Sequence, residues 1–200
     1  MSPITAAEVK ALRDRTGAGV LACREALTES GGDVEQAIEI LRARGQAQAA
    51  KRAGVQAREG AVQSYIHHGN RIGAMVELDC ETDFVARNER FVEFARDLAL
   101  HVAARERTLA VRDDEVPAED REREVRIATE QASERPEHVR ERIVEGKVES
   151  WLDEVVLLRQ KHVNEDKYGG KTIEDLRAEL AAETGENVVV RRFARFAVGA

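Results

Sequence analysis

Few side chains in this sequence have the types and spacing that chemistry requires. Cys23 and Cys80 are the two cysteines of the 200 residues, and neither belongs to a Cys-x-x-Cys pair that would indicate a zinc site. His67 and His68 flank a predicted turn between strands, where adjacent side chains point to opposite faces, so we do not expect them to converge on a metal. The sequence therefore predicts no metal site and two free thiols in a reducing compartment.

Motifs for nucleotide binding and nucleophilic catalysis are also missing from the sequence. It contains neither Gly-x-Gly-x-x-Gly nor a phosphate-binding Gly-Lys-Ser/Thr loop, and "TGAG" at 16–19 follows no strand, which indicates a turn between helices. No Ser-His-Asp or Cys-His set has the spacing of a known catalytic motif. We expect no cofactor and no covalent chemistry. An enzyme that uses Cys80 together with distant residues stays open as an alternative.

The stretch "CETDFVAR", residues 80–87, places an aromatic side chain directly after an acid. Periodicity alone favours an ordinary helix start, in which Thr82 caps the helix and Phe84 packs into the core. The alternative is a protruding tip that holds Phe84 outward. Charge distribution and the missing catalytic motifs do not decide between these two interpretations.

Composition limits the class of protein and the kinds of partner. The chain is 42% hydrophobic, 34% charged and 4% aromatic, which is typical of a soluble, helix-rich protein with aliphatic cores. Its net charge of -7 argues against non-specific nucleic-acid binding, so no direct nucleic-acid partner is expected. A basic stretch at 42–58, with Lys51 and Arg52, leaves an RNA-binding module as an alternative. Without a membrane-length apolar run or a secretory signal, we expect no membrane partner and a cytoplasmic location.

Capping residues and glycines predict a small helical bundle at the start of the chain. The predicted helices run from the Thr5 cap to Thr16-Gly17, over 19–29, and from the Asp33 cap to Gly45. Residues 46–60 are Ala-rich and basic, and we interpret them as a linker that is helical in part. Small helical modules of this kind more often bind than catalyse, because they lack a deep pocket.

The rest of the sequence predicts an α+β fold. Its predicted elements are a hairpin of strands 61–67 and 71–80, a helix capped by Asn88, helices begun by Pro117 and Pro136, an exposed loop over 160–171, a helix capped by Thr172, and a terminal strand over 187–198. We expect a three-stranded antiparallel sheet covered by helices, with the terminal strand between neighbours. The uncovered face of such a sheet is apolar and suits a second copy of the chain, giving a homodimer.

Three segments together resemble one family. "VKALRDRTGAGVLACREAL" at 9–27, "ELDCETDFVARNERF" at 77–91 and "GENVVVRRFARFAVG" at 185–199 are similar to the signatures of bacterial translation elongation factor Ts, in the same order. The resemblance covers essentially the whole chain. It implies a guanine-nucleotide exchange factor for elongation factor Tu, with a ubiquitin-associated-like docking module of three helices at 1–54 and an α+β core and dimerisation domain at 55–200.

The same resemblance implies which residues meet the partner. Thr82, Asp83, Phe84 and Val85 match the segment that inserts near the partner's Mg²⁺ site, where Asp83 and Phe84 enter between helices and promote GDP release. Three further residues match the surface that docks on the nucleotide domain: Arg13, Val20 and Leu21. If this is right, Phe84 is exposed in the free protein.

Two departures from the family pattern affect these expectations. Val20-Leu21 stands where many members carry Met-Met, which keeps an apolar surface but removes the adaptability of methionine. The chain also has no room for the second core half and helical hairpin of longer members. It resembles the short form of the family, in which dimerisation through the sheet supplies a second core half.

Overall fold

The structure is a computed structural model that describes residues 4–16, 18–52 and 54–199. The chain folds into two compact units. The first comprises Met1–Ala61, Leu78–Glu93 and Asp175–Val189, and the second comprises Val62–Glu77, Phe94–Glu174 and Val190–Ala200. The expected division into a docking module at 1–54 and a core at 55–200 is a division by function, and it stays a prediction.

The architecture is α+β, as predicted. In chain order the elements are α1 (Ala6–Thr16), α2 (Val20–Glu29), α3 (Val34–Arg52), β1 (Glu59–Ile66), β2 (Ile72–Cys80), α4 (Asp83–Ala86), α5 (Glu89–Ala104), α6 (Ala118–Ala132), α7 (Glu137–Val155), α8 (Glu165–Tyr168), α9 (Ile173–Thr184) and β3 (Val189–Ala197). Short 3₁₀ turns lie at Asp113–Glu115 and Leu157–Arg159. Helices cover a three-stranded antiparallel sheet with the order β1-β2-β3.

The strand order corrects one expectation, because β3 lies at an edge of the sheet and β2 lies in the middle. The tight turn after β1 pairs β1 with one side of β2, which leaves the other side of β2 for β3. In agreement, most side chains of β2 are buried, whereas those of β3 are mostly exposed or half-buried. Length and apolar content alone predicted a central position for β3, and that prediction was wrong.

The first three helices begin and end at the predicted residues, with one exception given below. In the capping box of α1, the Thr5 amide donates to Glu8 at 2.7 Å and the Glu8 amide donates to the Thr5 hydroxyl at 3.3 Å. The Gln36 amide donates to Asp33 at 3.0 Å and so caps α3. A small apolar core joins the helices: Val9, Leu12, Cys23, Ala26, Leu27 and Ala37. Gly17, where the end of α1 was predicted, lies outside the described residues.

The exception is Gly45, which was predicted to end α3 but lies inside it. A Cβ atom at position 45 would come within 2.4 Å of the Cβ of Ala182 on α9. Gly45 therefore lets α3 approach α9 closely, and it does not end α3. Sequence alone did not reveal this, because the neighbouring residue is 137 positions away.

The β1–β2 turn has the predicted chemistry. The His67 amide donates to the Ile72 carbonyl at 2.8 Å, and Gly69 and Asn70 adopt positive φ angles. The rings of His67 and His68 lie 4.1 Å apart between centroids, so the expectation that they point to opposite faces was wrong. The reason is that both residues lie beyond the end of β1, where strand alternation no longer applies. Among the described residues, no group of three or more potential ligands could hold a metal ion.

The second unit contains a buried polar network where an exposed loop was predicted. Gln160 and His162 are only 4% and 2% exposed. His101 on α5 makes a 2.7 Å hydrogen bond to the Gln160 side chain and accepts one from the Val163 amide. The His162 ring lies 5.2 Å from that of His101 and accepts a hydrogen bond from the Asn164 amide. The polar sequence of 160–171 indicated solvent exposure, but these polar groups satisfy one another.

Apolar packing completes the second unit. Helices α6 and α7 follow Pro117 and Pro136, as predicted. A cluster of buried side chains forms one core: Ala110, Val116, Trp151, Leu152, Val155 and Val156. Phe94 in this unit and Phe91 in the first unit, both on α5, are buried, as predicted. Within the described residues, the helices fall short of the length and apolarity that crossing a bilayer demands.

The two helix-interior glycines provide a matched test of the close approach at Gly45. A Cβ atom at Gly146 in α7 would meet nothing within 4 Å. We expect Gly146→Ala to raise the free energy of unfolding by about 0.5–1 kcal/mol, because alanine favours the helix. Gly45→Ala should lower it by about 1–3 kcal/mol, because α3 and α9 must separate. Urea unfolding followed by circular dichroism measures both, and stabilisation by both variants would contradict the close approach.

The buried histidine predicts a loss of stability in acid. Burial lowers the pKa of His101 to about 4, and the hydrogen bond to Gln160 offsets this in part, while the charges of His162 and Arg105 lower it further. The neutral ring therefore stabilises the fold above the unfolded-state pKa of about 6.5, and this contribution is lost as pH falls towards 4. We expect this contribution to the free energy of unfolding to be about 2–3 kcal/mol at neutral pH.

This contribution is measured by comparing variants. The difference in unfolding free energy between the wild type and His101→Gln should shrink between pH 7 and pH 4.5. His138→Gln, at an exposed position of α7, is the control and should follow the wild type throughout. A wild-type advantage over His101→Gln that is constant across this pH range would show that His101 does not carry the effect.

Candidate functional site

Between β2 and α5 the chain forms a single helical turn, α4, which together with its N-cap residue makes up the segment Thr82–Ala86, here called the tip. Thr82 has an extended backbone, and its hydroxyl accepts a hydrogen bond from the Val85 amide at 3.4 Å. This is the predicted N-cap. Arg87 follows the tip as the C-cap of α4, and its amide donates to the Asp83 carbonyl.

The tip exposes its aromatic side chain. Phe84 is 82% exposed, which is the largest value among the large exposed hydrophobic side chains of the described residues. The prediction that Phe84 is exposed while Phe91 and Phe94 are buried is thus confirmed, and the interpretation of Phe84 as a core residue was wrong. Val85, by contrast, is only 7% exposed. Of the four tip residues expected to meet a partner, Val85 therefore has its side chain turned into the protein.

Asp83 is the acidic group of the tip. Its carboxylate lies 3.1 Å from the Arg87 guanidinium, one helical turn later, and both side chains are largely exposed. An exposed pair of this kind contributes little to stability, so it opposes a new partner only weakly. The Asp83 carboxylate is consequently available to a cation or an amide that approaches the tip.

Hydrogen bonds from a distant part of the sequence hold the base of the tip. The Glu186 carboxylate accepts from the Glu81 amide at 3.0 Å, from the Thr82 amide at 3.1 Å and from the Thr82 hydroxyl at 2.6 Å. The Cys80 thiol donates to the Thr82 carbonyl at 3.2 Å. The backbone of Thr82 is therefore fixed at both its amide and its carbonyl.

A second carboxylate lies beside the first. Glu81 accepts from the Arg52 guanidinium at 2.9 and 2.5 Å and from the Asn187 amide at 2.6 Å. The hydrogen bond from Arg52 lowers the pKa of Glu81, with a smaller contribution from the Asn187 amide. We call Glu81 and Glu186, with their donors, the carboxylate clasp. It joins the end of α3, the base of the tip and the segment that leads into β3.

The clasp was not found from the sequence, although both glutamates lie in the segments that resemble the family. Thr82 and Glu186 are 104 positions apart, and no local spacing rule connects them. A local signal did exist at Gly185, which follows α9 with a φ of 72°. That turn ends the helix and directs the next residue, Glu186, away from the helical hydrogen-bond pattern.

The environment of Cys80 argues against the enzyme alternative. Cys80 is buried, and burial together with the charge of Glu186 raises the pKa of its thiol to about 11. A nucleophilic cysteine needs a thiolate, which requires a lowered pKa and an accessible sulfur. Cys80 has neither, and its thiol serves as a hydrogen-bond donor to the tip.

The predicted docking residues lie on the first two helices. Val20 and Leu21 open α2 and are 56% and 59% exposed, and Arg13 of α1 is also exposed. The side of α2 that enters the apolar core is formed by Cys23, Ala26 and Leu27. Val20 and Leu21 thus present apolar surface outside the core that joins the three helices. We call Arg13, Val20 and Leu21 the docking face.

The basic stretch at 42–58 is less cationic than its sequence indicates. Three of its arginines lie against carboxylates: Arg42 with Asp175 at 3.3 Å, Arg44 with Glu29 at 2.5 Å, and Arg52 with Glu81 at 2.5 Å. These pairs offset much of the positive charge that would attract a phosphate backbone. The geometry therefore gives little support to the RNA-binding alternative.

Comparison with known proteins identifies the family. The model of the family described as elongation factor TS matches residues 9–169. Elongation factor Ts of Syntrophus aciditrophicus is 50% identical over 98% of this chain and 96% of its own length. Elongation factor Ts of Desulfotalea psychrophila is 50% identical over 98% of this chain and 99% of its own length. Elongation factor Ts of Thermotoga petrophila is 47% identical over 96% of this chain and 94% of its own length.

The family match covers the first two sequence signatures, at 9–27 and 77–91, and the relatives align with nearly the whole chain. The signature around the tip lies entirely within the matched residues. The chain therefore belongs to the elongation factor Ts family, and its role is in translation elongation.

Proposed function

We propose that this protein is the guanine-nucleotide exchange factor of elongation factor Tu and acts in the cytoplasm without covalent chemistry. In this proposal it promotes GDP release by disturbing the Mg²⁺ and phosphate site of its partner. The observation that carries the proposal is the exposure of Phe84 on a tip whose base is fixed by hydrogen bonds. Single exposed apolar side chains are common on protein surfaces. Phe84 differs in having a rigid support, so its ring can be buried against a partner with little loss of conformational entropy.

The energy required exceeds what the tip alone supplies. Faster release of GDP by about 10⁴-fold corresponds to a barrier lower by about 5.5 kcal/mol. Burial of one phenyl side chain provides about 1.5–3 kcal/mol. Because linkage is reciprocal, the factor must also bind the nucleotide-free partner more tightly than the nucleotide-bound one. A second contact is therefore needed, and the docking face supplies it in this proposal.

The two residues of the tip have different tasks. Phe84 enters between helices of the partner and separates them. Asp83 would bring a negative charge towards the partner's Mg²⁺ ion, whose positive charge would offset that of the GDP phosphates. Its weak pairing with Arg87 leaves the Asp83 carboxylate free to turn to a new donor or cation. Weaker coordination of the ion loosens the diphosphate.

The docking face holds the tip at the partner. Residues 1–54 act as the ubiquitin-associated-like module, and Val20 and Leu21 bury their apolar side chains against the nucleotide domain beside Arg13. The described part of this module folds around its own core, so its surface is preformed. A preformed surface loses little conformational entropy on binding.

The uncovered face of the sheet supports a homodimer. In the second unit a Cβ atom at Gly73 would lie 2.6 Å from the Ile66 side chain, and Glu77 pairs with Arg192 at 2.5 Å, so these residues share one face of the sheet. Alternation along the strands places further exposed apolar side chains on that face, and we call the set the sheet face: Val62, Ile66, Met75 and Phe196. We propose that a second copy of the chain covers it.

The tip residues are tested by release of fluorescent GDP from purified elongation factor Tu. Phe84→Ala should slow the maximal stimulated release by about 10- to 100-fold, the factor that corresponds to burial of one phenyl group. Asp83→Ala should slow it by a smaller factor. Leu109→Ala, which removes another exposed apolar side chain, is the control and should leave the rate unchanged. Unchanged rates for both tip variants would contradict the proposed function.

The homodimer is tested by sedimentation equilibrium of the purified protein. The wild type should have twice the 22.2 kDa mass of one chain, and Phe196→Glu should have the mass of one chain, because a buried unpaired carboxylate is costly. Leu109→Glu is the matched control and should stay dimeric. A monomeric wild type at micromolar concentration would exclude this use of the sheet face.

A further inference from the structure

The tip consists of a single helical turn, and such a turn does not hold its own shape in water. Forming one turn fixes several backbone angles for a single hydrogen bond, so short isolated helices are unstable. α4 has four residues, Asp83–Ala86. Its conformation must therefore come from contacts at its two ends, where it joins β2 and α5.

Glu186 supplies most of the polar contacts at the first end. Two of its three hydrogen bonds go to backbone amides, at Glu81 and Thr82, and these fix the direction in which the chain leaves β2. Hydrogen bonds to an ionised carboxylate are stronger than those between neutral groups. The Thr82 side chain is 104 positions from Glu186 in sequence, yet it makes the shortest of the three contacts.

The third hydrogen bond determines how Thr82 caps the helix. A hydroxyl has one proton, and the Thr82 hydroxyl donates it to Glu186 at 2.6 Å. An oxygen lone pair is then left to accept from the Val85 amide. Glu186 consequently orients the cap, and the cap in turn orients the turn that carries Phe84.

The position of Glu186 is itself well determined. α9 ends at Thr184, and Gly185 reverses the chain with a positive φ angle. The Glu186 amide then donates to the Thr184 hydroxyl. The next residue, Asn187, is buried. Its backbone amide donates to the Glu81 carboxylate, and its side-chain amide donates to the Val55 carbonyl. The backbone before and after the Glu186 side chain is thus held by hydrogen bonds that do not involve the tip.

We propose that Glu186 is a positioning residue of nucleotide exchange, whose carboxylate holds the tip in the one conformation that presents Phe84 to the partner. This inference rests on the proposed function, but its structural part concerns the free protein. Without the carboxylate, Thr82 loses its amide and hydroxyl partners, and the cap is no longer oriented. Phe84 then samples several directions, and only a fraction of molecules carries a tip ready to insert.

The structural part is tested without a partner, by amide hydrogen exchange of the full chain. In Glu186→Ala the amides of Val85, Ala86 and Arg87 should exchange at least about tenfold faster than in the wild type, since loss of a charge-assisted hydrogen bond corresponds to about that factor. Glu183→Ala is the control: it lies three residues earlier and pairs with Arg90. It should leave these three amides unchanged. Unchanged exchange in Glu186→Ala overturns the proposal.

The functional part is tested with elongation factor Tu and fluorescent GDP. Glu186→Ala should lower the maximal stimulated release by about tenfold while the concentration for half-maximal effect changes less than about twofold, because the docking face is intact. The double variant Val20→Ala/Leu21→Ala should instead raise the concentration for half-maximal effect and leave the maximal rate nearly unchanged. Glu186→Gln should lie between Glu186→Ala and the wild type, because an amide oxygen still accepts from Thr82 but carries no charge.

A double-variant cycle separates positioning from a general loss of structure. If Glu186 acts through Phe84, Phe84→Ala and Glu186→Ala/Phe84→Ala should release GDP at nearly the same rate. Multiplicative effects of the two substitutions would overturn the positioning role. If neither Phe84→Ala nor Asp83→Ala changes the rate, the proposed function fails, whereas the hydrogen-exchange result still decides whether Glu186 holds the tip.

Discussion

The hydrogen bonds between Glu186 and Thr82 determine what the rest of the first unit must provide. A phenyl ring held in water at the end of β2 needs a rigid base, and one helical turn cannot supply it. The carboxylate that does so belongs to a turn after α9, so α9 must pack close to the N-terminal helices. The glycine at position 45 permits that approach, since α3 and α9 meet there with no room for a side chain. Rigidity at the tip thus depends on helix packing elsewhere in the same unit.

Two carboxylates side by side would repel each other without a cation. In the clasp that cation is Arg52, the last residue of α3, which makes two hydrogen bonds to Glu81. The same ion pair ties the end of the N-terminal helices to the base of the tip. The docking face lies on α1 and α2, which share an apolar core with α3, the helix whose final residue contacts the segment before Phe84. In the proposed function, this arrangement connects the two contacts with the partner.

Much of the fold could be predicted because its signals are local. The caps at Thr5, Asp33 and Thr82, and the helix starts after Pro117 and Pro136, all depend on residues within one turn of the element they begin. The exposure of Phe84 was different. Periodicity favoured burial, and only the resemblance to a family predicted the exposure that the structure shows. The role of Phe84 in exchange stays a proposal.

The errors share a physical cause, which is contact between residues far apart in sequence. Gly45 was read as a helix end because its neighbour Ala182 was not visible in the local pattern. The polar residues 160–171 predict a solvent-exposed loop, because the local pattern does not show that Gln160 has a hydrogen-bond partner, His101, 59 positions away on α5. The strand order could not be read from the length of β3. Glu186 was missed for the same reason, since a carboxylate after a helix is unremarkable until its donors are known.

The separation of Thr82 and Glu186 in sequence also imposes an order in time. Ribosomes make the chain from its N-terminus, so the docking helices and the tip residues exist long before the carboxylate that anchors the tip. A nascent or truncated chain that stops before residue 186 contains Phe84 but lacks the acceptor for the Thr82 amide and hydroxyl. The site therefore requires synthesis at least as far as residue 186. Only a chain synthesised past α9 carries the tip in its anchored form.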